Sequence, residues 1–140
     1  MSQSSKRFRS LIADPQLLVL PGAYDALSAR IIESQGFDAL VAGGYAAVGS
    51  MLGQPDMGQS NMRDFADHYA RIAQAVSIPV YVDADTGFGG VHNVRQAVRT
   101  FEAAGVAGFF MVLHCATRSS KFGFRSRAFG MSSRICWRMA

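Results

Sequence analysis

The sequence is poor in cysteine and has no long apolar run. Its two cysteines, Cys115 and Cys136, are not in a CxxC spacing, so we predict free thiols rather than a disulfide or a metal site. No apolar run approaches the roughly 20 residues of a membrane-spanning helix. The basic start of the chain lacks the apolar segment of a secretory signal. These absences predict a cytoplasmic protein with no membrane partner.

Acidic residues are missing from the end of the chain. All ten lie at or before Glu102, and residues 1–108 carry eight Lys and Arg, which gives this part a net charge of −2. Residues 109–140 carry six basic and no acidic residues, a net charge of +6. A nucleic-acid-binding protein needs positive charge on its folded body. The sequence therefore predicts no nucleic-acid partner, although the whole chain has a net charge of +4.

The chain alternates apolar runs with helical patterns over 140 residues, of which 49% are hydrophobic. We predict strands over 17–21, 38–44, 78–85 and 106–113, helices over 25–35, 62–76 and from 91 toward Gly105, and a loop over 45–60. Continuous apolar strands between helices are typical of a parallel sheet covered by helices. The predicted fold class is therefore α/β. It is either a doubly wound sheet or the first half, about four β/α units, of a TIM-type (β/α)8 barrel, which needs about 250 residues when complete.

The pattern ends after residue 113. Residues 114–140 are rich in Ser and Arg and show neither a helical nor a strand period. We therefore predict a partial barrel domain over 1–113 and an irregular basic tail over 114–140.

The third predicted strand ends in two carboxylates, Asp83 and Asp85, and a glycine-rich turn follows at once. Residues two apart on a strand face the same side, so we expect the two side chains to converge. Nearby carboxylates repel unless a cation or proton lies between them, and hard oxygen ligands suit Mg²⁺ or Mn²⁺. Alternatively, one aspartate caps the next helix or closes an Asx-turn. Spacing alone leaves both interpretations open.

Other strand ends also carry candidate residues, because sites in α/β folds form where the strands end. The second strand ends at Gly43-Gly44-Tyr45, where backbone N–H groups can approach a carboxylate or phosphate closely. The loop that follows carries Asp56. After the first strand, we expect Asp25 only to cap a helix. Asn61 with Asp64 resembles a capping box before the helix predicted over 62–76.

No histidine is predicted to be catalytic. We expect His68 at an exposed polar position of its helix and His92 at a helix start. His114 and Cys115 are adjacent, and adjacent residues on a strand point to opposite faces, so we do not expect them to form a Cys–His pair.

Four motifs follow one another over residues 7–111: "LLVLPGAYDALSARIIESQGFDAL", "GQPDMG", "VDADTGFGG" and "NVRQAVRTFEAAGVAG". In this order and spacing they resemble the isocitrate lyase / phosphoenolpyruvate mutase superfamily. The resemblance is greatest to 2-methylisocitrate lyase-like and carboxyvinyl-carboxyphosphonate phosphorylmutase-like members.

The resemblance implies a (β/α)8 barrel that binds Mg²⁺ and a small 2-oxo or 2-hydroxy carboxylic acid. Most relatives cleave or form a C–C bond through an enolate, and some act on a P–C bond. Carried over, Asp85 would coordinate Mg²⁺ directly, and Asp83 would do so directly or through water. Gly44 and Tyr45 would hold the substrate carboxylate through backbone N–H groups. Asp56 would lie on a mobile loop beside the metal.

The chain departs from this pattern after the fourth strand. Val112 stands where the resemblance implies a glutamate, and Ser120 or Phe122 stands where it implies a catalytic cysteine. Cys115 comes five residues too early for that role, so no catalytic residue is assigned. The alternatives to a Mg²⁺-dependent lyase are an inactive truncated or frameshifted fragment, and a phosphonomutase-type activity.

The resemblance also implies a homo-oligomer, built partly with C-terminal helices that we expect this chain to lack. Half a barrel would also leave two strand edges unpaired. We therefore expect a marginally stable chain that aggregates or self-associates, rather than a monomer with a sharp thermal transition.

We expect a reading-frame change, a rearrangement or a truncation near Met111. The DNA beyond that codon should encode, in another frame, a Glu-Asp-Gln-like stretch and four more β/α units. Sequencing the locus checks this, and the hypothesis is wrong if no frame encodes them.

Overall fold

The structure is a computed structural model that describes residues 2–112 and a short strand at 135–136. Its helices are α1 (Gln3–Ala13), α2 (Ala26–Ser34), α3 (Gly44–Leu52), α4 (Met62–Ala75) and α5 (Val91–Ala103). Its strands are β1 (Leu18–Val19), β2 (Leu40–Ala42), β3 (Val80–Asp83), β4 (Gly108–Phe110) and β5 (Ile135–Cys136). All four predicted strands are present but shorter than expected, and the three predicted helices are present. Within the described residues, no helix has the length and apolarity needed to cross a membrane.

The sheet is parallel, as the apolar runs predict. Strands β2, β3 and β4 are neighbours in that order, with Val41 opposite Tyr81 and Val82 opposite Phe109. The chain just after β1 pairs with the edge of β2 through an isolated bridge between Gly22 and Val41. In this bridge the Ala23 N–H donates to the Val41 carbonyl oxygen at 2.8 Å. Each parallel neighbour is reached through a helical crossover, which gives three successive β/α units followed by a fourth strand among the described residues.

One edge of the sheet differs from the expectation. β1 pairs in parallel with β5, Leu18 opposite Ile135, so a segment of the tail predicted to be irregular occupies an edge predicted to be unpaired. On the outer side of β4, no strand pairs within the described part of the chain. The rest of the tail lies outside the described residues.

Two helices begin at side-chain caps that the sequence predicts. Asp25 Oδ1 accepts the Ser28 N–H at 2.7 Å, while the Ser28 hydroxyl meets the Asp25 N–H at 3.0 Å. Asn61 and Asp64 make the same reciprocal arrangement at the start of α4. These caps satisfy N–H groups that the first turn of a helix leaves unpaired.

The prediction of a loop over 45–60 is wrong for its first half, because the residues up to Leu52 belong to α3. Glycine is a poor helix former by about 1 kcal/mol relative to alanine, and the glycines of this segment obscured the helix. Ala47 and Val48 are buried in the core, and this packing outweighs the low propensity. Gly53, with a left-handed φ of +63°, ends the helix.

The N-terminal helix α1 was not predicted, because its apolar pattern is sparse. The Ser2 hydroxyl caps it by accepting the Ser5 N–H at 3.1 Å. Phe8 is buried and its ring stacks on Tyr81 with a centroid distance of 5.1 Å. This contact attaches α1 to the sheet.

Buried apolar side chains form two clusters. The larger joins the sheet to α2–α5 and includes Leu40, Val80, Val82, Tyr69 and Phe101. The smaller includes Phe8, Leu20, Val41 and Tyr81. Successive residues of β2 and β3 alternate between the clusters, as side chains on a strand do, so the sheet is buried on both faces.

The expectation of an exposed His68 is wrong. The side chain is only 5% exposed, and Nε2 lies 2.8 Å from the Tyr24 carbonyl oxygen, so Nε2 must carry the proton and donate it. The spacing of three residues from Phe65 and four from Ile72 places His68 on the buried face of α4. Burial lowers the pKa of His68; the Tyr24 carbonyl opposes this shift.

We expect the protein to lose stability as the pH falls below about 6.5. With the pKa of His68 lowered in the folded state, the unfolded chain takes up a proton at a higher pH than the native chain. Stability is then complete above the unfolded pKa and decreases as the pH falls through the folded one. Urea titrations near pH 7.5 and pH 5.5 measure the loss. His68→Gln keeps an N–H donor for Tyr24 and should lose less stability over this interval; an equal loss would contradict the prediction.

Candidate functional site

The carboxyl ends of β2 and β3 lie side by side and bring two segments together. Because the strands are parallel neighbours, the chain leaves both at the same edge of the sheet. Helix α3 begins directly after β2, and the turn 84–90 follows β3. The predicted candidate residues Gly44 and Asp83 meet at this edge.

Asp83, the last residue of β3, connects the two segments. Its Oδ2 accepts the backbone N–H of Gly44 at 3.3 Å, and its Oδ1 accepts the backbone N–H of Asp85 at 2.8 Å. The second bond closes an Asx-turn, one of the two roles considered for these aspartates. Neither aspartate caps α5, whose N-cap is Gly90. One oxygen of Asp83 thus holds the start of α3 and the other holds the turn.

The surroundings of Asp83 disfavour its negative charge. Burial raises the pKa of Asp83 above the usual range of an aspartate, and the N–H groups of Asp85 and Gly44 oppose this rise. The negative charges of Asp85 and Asp56 add to it. A half-buried carboxylate near two like charges is stabilised in its ionised form when a cation binds beside it.

Asp85 does not extend the strand, so the predicted reason for convergence, alternation along β3, is wrong. The strand ends at Asp83, and Asp85 is exposed with a left-handed φ of +48°. Phe88 in the same turn has a φ of +62°. Left-handed backbone at residues other than glycine costs energy and concentrates at functional sites. A bend in the backbone of this turn, and not alternation along the strand, places the Asp85 carboxylate near Asp83.

Asp56 lies on the loop after α3, and its negative charge affects the region around Asp83. Its Oδ1 accepts the Gly58 N–H at 3.0 Å, and its charge raises the pKa values of Asp83 and Tyr69. Within residues 2–112, no group of three or more His, Cys, Asp or Glu side chains is arranged to hold a metal ion. Magnesium commonly uses one or two carboxylates together with water and substrate oxygens. The donors present fit that ligand set.

The segment Gly43-Gly44-Tyr45 forms the beginning of α3, where Gly43 has no side chain to cap the helix and the Gly44 N–H donates to Oδ2 of Asp83. The N–H groups of the first turn after Gly44 lack partners within the helix, and with the helix dipole they favour an anion. A Cβ at Gly44 would lie 3.0 Å from Oδ2 of Asp83, so glycine is what permits this close approach. The predicted binding of a substrate carboxylate by Gly44 and Tyr45 stays a prediction.

An open cavity of about 460 Å³ adjoins Asp85. Its lining mixes polar and apolar groups and includes Ser60, Asn61, Arg63, Phe88 and Asn93. The volume falls in the range of small-molecule sites. The cavity therefore has room for a small acid beside Asp85.

The position expected to carry a glutamate lies against the same turn. The Val112 N–H donates to the Asp85 carbonyl oxygen at 2.8 Å. A glutamate there would begin beside Asp85, but valine supplies no carboxylate. His114, Cys115, Ser120 and Phe122 lie outside the described residues.

Sequence reasoning missed Tyr69 as a residue of this region. Its place in the apolar pattern of α4 predicts a core residue, and the side chain is indeed fully buried. Its hydroxyl oxygen, however, is buried without a hydrogen-bond partner among the described residues. No sequence signal distinguishes this tyrosine from a phenylalanine in the same pattern.

Comparisons with known proteins all identify the same group of related enzymes. A family profile described as phosphoenolpyruvate phosphomutase matches residues 8–111. An isocitrate lyase of Haloferax volcanii is 40% identical over 106 residues, which are 76% of this chain and 31% of that protein. A 2,3-dimethylmalate lyase of Eubacterium barkeri is 42% identical over 104 residues, 74% of this chain and 36% of that protein. The chain thus spans about a third of the length of these relatives.

A solved structure matches the fold as well. The crystal structure of 2,3-dimethylmalate lyase, described as a PEP mutase/isocitrate lyase superfamily member, has a TM-score of 0.73 and 37% identity. The match covers 78% of this chain and 39% of that one. The similarity therefore extends from the motifs to the arrangement of strands and helices.

Substitution of Gly44 tests the contact that organises the site. In Gly44→Ala the new Cβ should displace the Asp83 carboxylate and weaken its hydrogen bonds, which are worth about 1.5–3 kcal/mol when one partner is charged. Gly49→Ala in the same helix meets no atom within 4 Å and should raise the free energy of unfolding by about 0.5–1 kcal/mol. Urea unfolding compares the two variants. An equal gain from both would show that the Gly44–Asp83 contact contributes nothing.

Proposed function

Because this chain belongs to the phosphoenolpyruvate phosphomutase family, within the PEP mutase/isocitrate lyase superfamily of TIM-barrel enzymes, we propose that it carries the metal-binding and carboxylate-binding half of a lyase-type active centre. The described fold is the first half of such a barrel. The observation that carries the proposal is the Asp83 carboxylate, held by N–H groups from two segments and facing two further negative charges.

The proposed reaction is the Mg²⁺-dependent cleavage or formation of a C–C bond in a small 2-hydroxy or 2-oxo carboxylic acid of the 2-methylisocitrate type. Asp83 and Asp85 would hold the ion, and Mn²⁺ would suit the same oxygen donors. Bound magnesium would supply positive charge where negative charge develops on a substrate oxygen. The names of two relatives, isocitrate lyase and 2,3-dimethylmalate lyase, support C–C bond chemistry.

The residues of this chain would bind and orient the acid. The start of α3, at Gly44 and Tyr45, has no side-chain cap from Gly43 and favours an anion; the Tyr45 N–H would bind the acid directly, and the Gly44 N–H would be shared between the acid and Asp83. Asp83 fixes the position of that helix start through Gly44. Asp56, on the loop after α3, would lie beside the ion and the acid.

Two other functions have specific support. The profile that matches is described as a phosphomutase, and an uncapped helix start suits a phosphonate as well as a carboxylate. Val112 beside Asp85 favours a site that binds without turnover, because the position expected to carry a carboxylate has none.

Binding and turnover separate these functions. Wild type should bind oxalate only when Mg²⁺ is present, and Asp85→Asn should weaken this binding at least about tenfold. Calorimetry measures binding, and product formation from 2-methylisocitrate measures turnover. Asp67→Asn, a change to an exposed carboxylate on α4, is the matched control and should leave binding unchanged.

The outcomes distinguish the candidates. Cleavage of 2-methylisocitrate supports the lyase, and binding without cleavage supports an inherited site that no longer catalyses. Oxalate binding that does not require Mg²⁺ and is unchanged in Asp85→Asn would refute the proposed centre.

A further inference from the structure

Tyr69 has a buried polar atom that the fold leaves unused. The side chain is fully buried, and its hydroxyl oxygen has no hydrogen-bond partner among the described residues. Its ring packs against Phe65 and Phe101 at centroid distances of 5.7 and 5.8 Å. A phenylalanine would make the same ring contacts without burying a hydroxyl. Buried polar groups are nearly always paired, so an exception needs an explanation such as an ordered water, an ion or a functional role.

The hydroxyl lies near the carboxylates of Asp83, Asp56 and Asp85. Burial is the main cause that raises the pKa of Tyr69, and the negative charges of Asp83, Asp56 and Asp85 raise it further. The backbone N–H of Asp83 is close enough to oppose this rise in the pKa, although it makes no hydrogen bond of full geometry with the oxygen. A tyrosine in these surroundings keeps its proton at neutral pH and is available as a hydrogen-bond donor.

Asp83 has acceptor capacity for such a donor. Each of its oxygens accepts one backbone N–H, from Gly44 and from Asp85. An ionised carboxylate offers about four lone-pair sites. After these two bonds and one bond to a cation, one site is left for a third donor.

We propose that Tyr69 is a positioning residue of the magnesium centre, whose O–H donates through a bridging water to the Asp83 carboxylate and holds that carboxylate toward the ion. This inference rests on the proposed function. Groups that hydrogen-bond a metal ligand fix its orientation, and removal of such a group typically weakens metal binding by 10–100-fold.

The experiment is a calorimetric titration of Mn²⁺ into the full chain, with Tyr69→Phe compared with wild type. The variant keeps the ring in the core and removes only the hydroxyl. We expect its Mn²⁺ affinity to fall about tenfold, while its metal-free melting temperature stays the same or rises, because the lost hydroxyl makes no direct hydrogen bond within the described residues. Tyr24→Phe, which removes the hydroxyl of an exposed tyrosine after β1, is the control and should bind Mn²⁺ as wild type does.

The possible results separate this inference from the proposed function. Equal Mn²⁺ affinities in Tyr69→Phe and wild type overturn the inference and leave the metal centre standing. A lower metal-free melting temperature in Tyr69→Phe assigns its hydroxyl a structural role, and an equal loss of affinity in Tyr24→Phe shows that the loss is not specific to Tyr69; either result also overturns the inference. If wild type binds no Mn²⁺, the proposed function fails and the inference fails with it.

Discussion

The Asp83 carboxylate accepts a hydrogen bond from Gly44, 39 positions earlier in the chain, and so joins two distant segments. Its two oxygens accept N–H groups from the start of α3 and from the turn after β3. The parallel pairing of β2 and β3 makes this possible, because it brings both strand ends to one edge of the sheet. Gly44 lacks a side chain where one would crowd the carboxylate. The position of the helix start and the shape of the turn both depend on this one group.

The same carboxylate is costly to keep ionised. It is partly buried, and Asp56 and Asp85 add negative charge around it. The turn holds Asp85 and Phe88 in left-handed backbone, which is also unfavourable for residues with a side chain. Tyr69 adds a buried hydroxyl without a hydrogen-bond partner among the described residues. A bound cation would offset the repulsion among the three carboxylates, which is the physical reason to interpret the region as a metal centre.

Much of the fold could be predicted from the sequence because its signals are local. The caps at Asp25 and Asn61 and the apolar runs placed helices and strands correctly. Helix α3 and the burial of His68 could not be predicted, because both depend on packing between elements distant in the chain. For the site, spacing identified the Asp83–Asp85 pair but misjudged how the backbone brings the two residues together. The partnerless hydroxyl of Tyr69 has no sequence signature, since it depends on which groups surround a core ring.

The central claim is that Asp83 holds a divalent cation at this edge of the sheet. Titration of the chain with Mn²⁺, followed by electron paramagnetic resonance of the free ion, counts the bound ions directly. The account predicts one ion per chain in wild type and none in Asp83→Asn at the same concentrations. Wild-type chain that leaves all the Mn²⁺ free, or an Asp83→Asn variant that binds as wild type does, would contradict it.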